Sequence, residues 1–150
     1  MPIKFTIIGL VIFMLPMLIN IVYFVLPPVD ASASQNMPTK WIEMVESISR
    51  IAYAVLICFM LKDKVVKWNS PLLYFALLFL VLYYVVWIRY FLGGRDVALM
   101  RASFCFIPMP LAVFPVLYFL LAALWLGNYP AAIIMVIFGI AHNIVSYQSL

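Results

Sequence analysis

Residues 102–150 contain no Asp, Glu, Lys or Arg. About 20 apolar helical residues cross a roughly 30 Å hydrocarbon layer, so this uncharged run of 49 residues is more than one helix can use. Two helices must share it. The dividing point is Gly127-Asn128-Tyr129-Pro130, where glycine and asparagine tolerate a tight turn and proline suits the first turn of a new helix.

The rest of the chain follows the same logic. Of its 150 residues 69% are hydrophobic and only 9% charged, too little polar surface to coat a soluble globule. The expected fold is all-α, a single-domain bundle of five transmembrane helices over residues 5–27, 41–61, 71–92, 104–126 and 130–148. Residues 5–29 carry no charge and end near Pro27-Pro28. A signal peptide is the rival reading, because Ala31-Ser32-Ala33 resembles a cleavage site, but the apolar run exceeds the roughly 7–15 residues of a signal core. Residues 30–40 are small, polar and interrupted by proline, hence a loop. Ser70-Pro71 reads as the cap and first position of the third helix, which Gly93-Gly94-Arg95-Asp96 ends. Pro108, Pro110 and Pro115 make the first half of the fourth span irregular, and Pro16 disturbs the first; backbone groups freed in this way need partners inside the protein.

Five alternating crossings sort the charges onto two faces. One face receives Lys4, Lys62, Asp63, Lys64 and Lys67; the other receives Asp30, Lys40, Glu43, Glu46, Arg50, Arg89, Arg95, Asp96 and Arg101. Lys and Arg number four against five, so the positive-inside rule does not choose between them. Lys4 and the terminal amine ahead of the first span favour a cell-membrane protein with a cytoplasmic N-terminus and an external C-terminus.

The second span opens with WIEMVESISR, and its charges demand an explanation. At about 1.5 Å per residue, Arg50 and His142 both lie about 18 Å from the lysine-bearing face, while Glu46 and Asn20 lie about 24 Å from it. A charge facing lipid near the bilayer centre costs about 2.5–3.5 kcal/mol, so such groups turn inward and pair. Positions 43, 46, 50 and 53 share one helical stripe, which predicts that Glu43, Glu46, Arg50 and Tyr53 face the interior, with Glu46 and Arg50 as an i, i+4 pair. Asn20, His142, Asn143, Ser146 and Tyr147 fall in the same half of the membrane. The candidate ligand-binding residues are therefore Asn20, Glu43, Glu46, Arg50, Tyr53, His142 and Asn143.

Each has a plainer structural role as its alternative. Glu46 and Arg50 can be an ion pair that merely lets the helix insert, and a lone histidine is commonly a satisfied structural donor. Arg89, Arg95 and Arg101 read as anchors facing lipid phosphates, and Tyr83, Tyr84, Trp87 and Tyr90 as an interfacial aromatic belt. Cys58 and Cys105 fall near opposite faces, too far apart for a disulfide, and read as small apolar fillers.

Missing motifs narrow the chemistry. The chain has no GxSxG, HExxH, paired CxxC, Walker loop or histidine pair, so no metal, cofactor or catalytic residue is assigned. The net charge of +4 is scattered rather than gathered into a basic patch, which excludes nucleic acid as a partner. Neither the single embedded Glu in the first helix of small multidrug exporters nor the PQ-loop of sugar carriers is present. Beyond membrane lipids, the leading expectation is a one-sided intramembrane polar pocket that binds a small amphiphilic or lipid-like ligand, with transport as its use. Glu46 would accept a cation or proton there, Arg50 would set its charge state, and Asn20 and Asn143 would supply hydrogen bonds. The alternatives are a non-enzymatic accessory or immunity-type protein that binds a membrane protein, a peptide or a second copy of itself, and a membrane enzyme using His142 and Glu46 as acid and base.

Overall fold

The computed structural model describes residues 3–29, 37–60 and 66–149. Among these are six helices: α1 (Ile7–Val25), α2 (Lys40–Cys58), α3 (Pro71–Leu92), α4 (Val97–Arg101), α5 (Pro110–Trp125) and α6 (Tyr129–Gln148). Two short strands, β1 (Lys4–Phe5) and β2 (Phe59–Met60), pair antiparallel. The sequence accounts for most of the boundaries. Thr6 caps α1 by accepting from Gly9 N, and Asn128 caps α6 by accepting from Ala131 N, each satisfying an amide that the first turn leaves open. Ser70 and Pro71 mark the start of α3 as expected, although the Ser70 side chain makes no capping bond.

Long-range hydrogen bonds give the helices their directions. At one end, here the lysine end, Thr6 N donates to Cys58 O at 2.7 Å, Trp125 Nε1 to Lys67 O at 2.7 Å, and Asn128 Nδ2 to Leu56 O at 2.7 Å. At the other, the arginine end, Val29 N donates to Arg95 O at 3.3 Å, Thr39 N to Gln148 Oε1 at 2.9 Å, and Arg101 Nη2 to Ser149 O at 3.3 Å. The five long helices therefore alternate up and down.

Prolines shape the core between them. Pro16 lacks the N–H that would bond the Ile12 carbonyl four residues back, and the Tyr118 hydroxyl donates to that oxygen at 2.8 Å. A residue from α5 thus closes a gap that proline opens in α1. Gly9 permits the tightest approach of two helices, since a β-carbon there would lie 1.9 Å from the Ile57 carbonyl oxygen.

Three helices, α1, α3 and α6, are long and apolar enough to cross a membrane, and many of their apolar side chains point outward. A membrane-embedded protein is the consistent reading. The other two expected spans differ from this standard for separate reasons. α2 has 19 residues but carries Lys40, Glu43, Glu46 and Arg50. α5 has only 16, because Pro110 sits in its first turn and the chain before it is not helical.

Several expectations need correction. The helix expected from residue 104 begins at Pro110; ahead of it Phe104 and Ile107 form an isolated bridge around Cys105 and Phe106, both left-handed. The five-residue α4 was not foreseen. Trp87, Tyr83 and Tyr90 are not an interfacial belt but buried core, with Trp87 5.1 Å from the Tyr23 ring of α1. Tyr84 is half-buried and donates to the Leu15 carbonyl. Cys58 is buried as expected, whereas Cys105 is exposed, and both are free thiols. The expectations placed on Asp30, Ala31-Ser32-Ala33, Leu61, Lys62, Asp63 and Lys64 fall outside the described residues.

Candidate functional site

Glu46 is the hub of the polar side chains. It is one of two buried polar or charged residues among those described, 7% exposed, and its Oε1 accepts from Arg50 Nη2 at 2.8 Å and from His142 Nδ1 at 2.7 Å. The first bond links successive turns of α2; the second joins α2 to α6. A carboxylate accepting from Nδ1 leaves Nε2 as the ring's other nitrogen, the one turned away from Glu46. His142 stacks on Phe138 with ring centroids 5.0 Å apart, and the Arg50 guanidinium lies 5.7 Å from the same Phe138 ring. Arg50 and His142 are therefore held by one carboxylate and one aromatic ring.

The stripe on α2 is rotated from the one expected. Its buried positions are Ile42, Glu46, Ser49, Tyr53, Ile57 and Cys58, so Glu43 is exposed and takes no part. Ser49 was not foreseen; its hydroxyl is spent on the Val45 and Glu46 carbonyls at 2.6 and 3.0 Å. Tyr53 is buried, but its hydroxyl donates to Phe119 O at 2.8 Å, apart from the Glu46 cluster. Asn143 turns back on its own helix and donates to Gly139 O at 2.8 Å.

Beside the cluster lies a cavity of about 490 Å³, reaching from Pro115 and Phe119 in the middle of the bundle to Pro28, Met100 and Ser149 at the arginine end. Arg50, His142, Asn20 and Ser146 line it; Glu46, Glu43, Tyr53 and Asn143 do not. The rest of the wall is largely apolar, including Met17, Phe24, Leu111 and Phe138. Asn20 is held in place by Tyr83, whose hydroxyl donates to Asn20 Oδ1 at 2.7 Å. Tyr83 and Trp87 also border the cavity, as does Arg101.

Arg101 and Trp87 are lining residues that the sequence did not single out for a site. Two of the three arginines read as anchors have side-chain contacts within the protein. Arg89 donates to the carbonyls of Leu99, Ala102 and Ser103 at 3.1, 3.0 and 3.2 Å, so it ties α3 to the segment around α4. Arg95 is left-handed at the turn after α3, and Arg101 faces the cavity. The signal that could have found Arg101 is its place at the end of a short Asp96-capped helix, a pattern obscured by the absence of any apolar periodicity in five residues. Among the described residues, no group of three His, Cys, Asp or Glu side chains is arranged to hold a metal ion.

Comparison of the chain with protein-family models, with curated proteins and with solved structures finds no match, and the reading of the site rests on its own geometry.

Proposed function

We propose that the chain crosses a membrane five times and binds one small amphiphile in the arginine-end cavity, as a small transporter or carrier in the cell membrane. The observation that carries this reading is the cavity itself: a mostly apolar space of about 490 Å³, within the roughly 300–1,000 Å³ of small-molecule sites, with a few convergent polar groups. The alternating helices support five crossings, and on α2 the buried Glu46 is doubly bonded, to Arg50 and to His142. Lys4 before the first span favours a cytoplasmic N-terminus and hence an external cavity mouth.

The test is to block the cavity without touching the Glu46 hub. Ser146→Phe introduces a large ring into the lining. Purified protein in neutral detergent should bind the uncharged fluorophore N-phenyl-1-naphthylamine saturably, and the variant should lose that binding while keeping its helical circular dichroism and its melting transition. Equal saturable binding by both proteins would overturn the proposal.

A second reading, acid-base chemistry on a membrane-soluble substrate, is favoured by the 2.7 Å contact between Glu46 and His142 and by the presence of His142 in the cavity wall. Incubating candidate ester amphiphiles with wild type and His142→Gln distinguishes it, since turnover lost in the variant would mark an enzyme rather than a carrier.

A further inference from the structure

We infer that the amphiphile held by this cavity is anionic, a single hydrocarbon chain carrying a carboxylate or phosphate head. This rests on the cavity being a ligand site, as proposed above. Two arginines, Arg50 and Arg101, line the cavity, and among the described residues no Asp or Glu does.

The carboxylate nearest the cavity is already committed. Glu46 Oε1 takes both Arg50 and His142, and the residue is buried behind them rather than in the wall. It fixes two donors in place and offsets one positive charge. Arg101 has no such counterpart: its Nη2 donates only to the neutral carbonyl of Ser149 at 3.3 Å, and among the described residues no carboxylate pairs with it. A guanidinium with four further N–H donors and no counter-ion among the described residues, at the mouth of a largely apolar cavity, suits a planar or tetrahedral oxyanion.

Asn20 adds a neutral donor to the cavity wall. Its carbonyl oxygen accepts from the Tyr83 hydroxyl at 2.7 Å, and its amide group carries two N–H donors, one of them near Met17 Sδ at 3.9 Å. A cationic head would find Glu46, the carboxylate bonded to two of the lining residues, already taken by Arg50 and His142. An oxyanion head would find Arg101 and Arg50, with the chain lying along Met17, Leu111 and Phe119.

The experiment uses the full chain in neutral detergent, with N-phenyl-1-naphthylamine displaced by dodecanoate, dodecyl phosphate, dodecanol or dodecyltrimethylammonium. These probes share a chain and differ in the head. At least one of the two anions should displace the fluorophore about tenfold or more below the concentration the alcohol or the cation needs, the range expected when charge-assisted bonds are added. Whichever anion is stronger identifies the head as carboxylate or phosphate, and inorganic phosphate alone should displace nothing. Arg101→Gln should bring the anions to the level of dodecanol, while Arg101→Lys should keep part of the preference.

A cation as strong as the anions, or a preference that survives Arg101→Gln, overturns the inference. If dodecanol competes as well as dodecanoate, the charge assignment fails while the binding site stands. If none of the four competes and Ser146→Phe is without effect, the proposed function falls with it. The wild-type ranking alone suffices to decide, so a variant that does not fold leaves the inference exposed.

Discussion

Tyr53, Tyr118, Trp125 and Asn128 each give a side-chain hydrogen to a main-chain carbonyl of another helix or its flanking loop, and the space around them in the lysine-end half is filled by Ile57, Ala122, Ala123, Ala131 and Met135. In the arginine-end half Arg89, Arg101 and Asn143 also bond to carbonyls, but beside the cavity side chain meets side chain, Arg50 and His142 through Glu46 and Tyr83 with Asn20, and the space next to them is left open. The two halves use the same kinds of residue for different ends. Where a polar group meets backbone it locks helices together; where polar groups meet each other across a gap, they hold donors ready for something else.

This contrast predicts a gradient of mutational cost. The largest effect belongs to Gly9→Ala in the closed half. The added β-carbon would sit 1.9 Å from Ile57 O, so α1 and α2 must part, and a thermal melt in detergent should show a loss of about 3 kcal/mol or more, at the upper end of overpacking costs. A melt within error of wild type would show that this approach is not tight.

Next comes Tyr118→Phe, which leaves the Ile12 carbonyl opposite Pro16 without a donor and should cost about 1–3 kcal/mol. Restoring an N–H with Pro16→Ala in the same chain should recover much of that loss. Additive losses in the double variant would break the link between the proline and the tyrosine.

Arg89→Leu should cost less, about 1 kcal/mol, because its three carbonyl partners lie in a segment that water can reach. Its clearer signature is faster proteolytic cleavage between residues 96 and 109, and an unchanged cleavage pattern would argue against a tethering role.

The smallest change is expected for Ser146→Ala in the open half, where loss of a cavity-lining hydroxyl should alter stability by about 0.5 kcal/mol or less. A large destabilisation there would mean that the open half is packed like the closed one.

What the sequence made legible divides along the same line. The helix starts at Ser70 and Asn128 follow from local chemistry, and the meeting of Arg50 with His142 through Glu46 follows from equal depth along straight helices. Depth says nothing about rotation. A small turn of α2 about its axis sends Glu43 outward, gives Tyr53 to Phe119 and puts Ser49 inside, and only packing against α5 and α6 fixes that turn. The burial of Tyr83, Trp87 and Tyr90 was illegible for a similar reason, since aromatic residues near a helix end serve a lipid interface or a core equally well by composition. The Cys105-Phe106 turn carries neither glycine nor asparagine, so its left-handed backbone leaves no mark in the sequence.

The brevity of α5 has a consequence for the surrounding lipid. Its 16 residues rise about 24 Å, several ångströms short of a typical hydrocarbon thickness of about 30 Å. In a five-crossing arrangement the bilayer must dip beside this helix, by headgroups sinking toward it or by acyl chains splaying, at a modest cost for each ångström of mismatch. The shortfall lies at the Pro110 end, next to Met109 and Leu111 in the cavity wall. An amphiphile entering there would meet a thinned leaflet, its polar end still at the water line while its tail slides between helices.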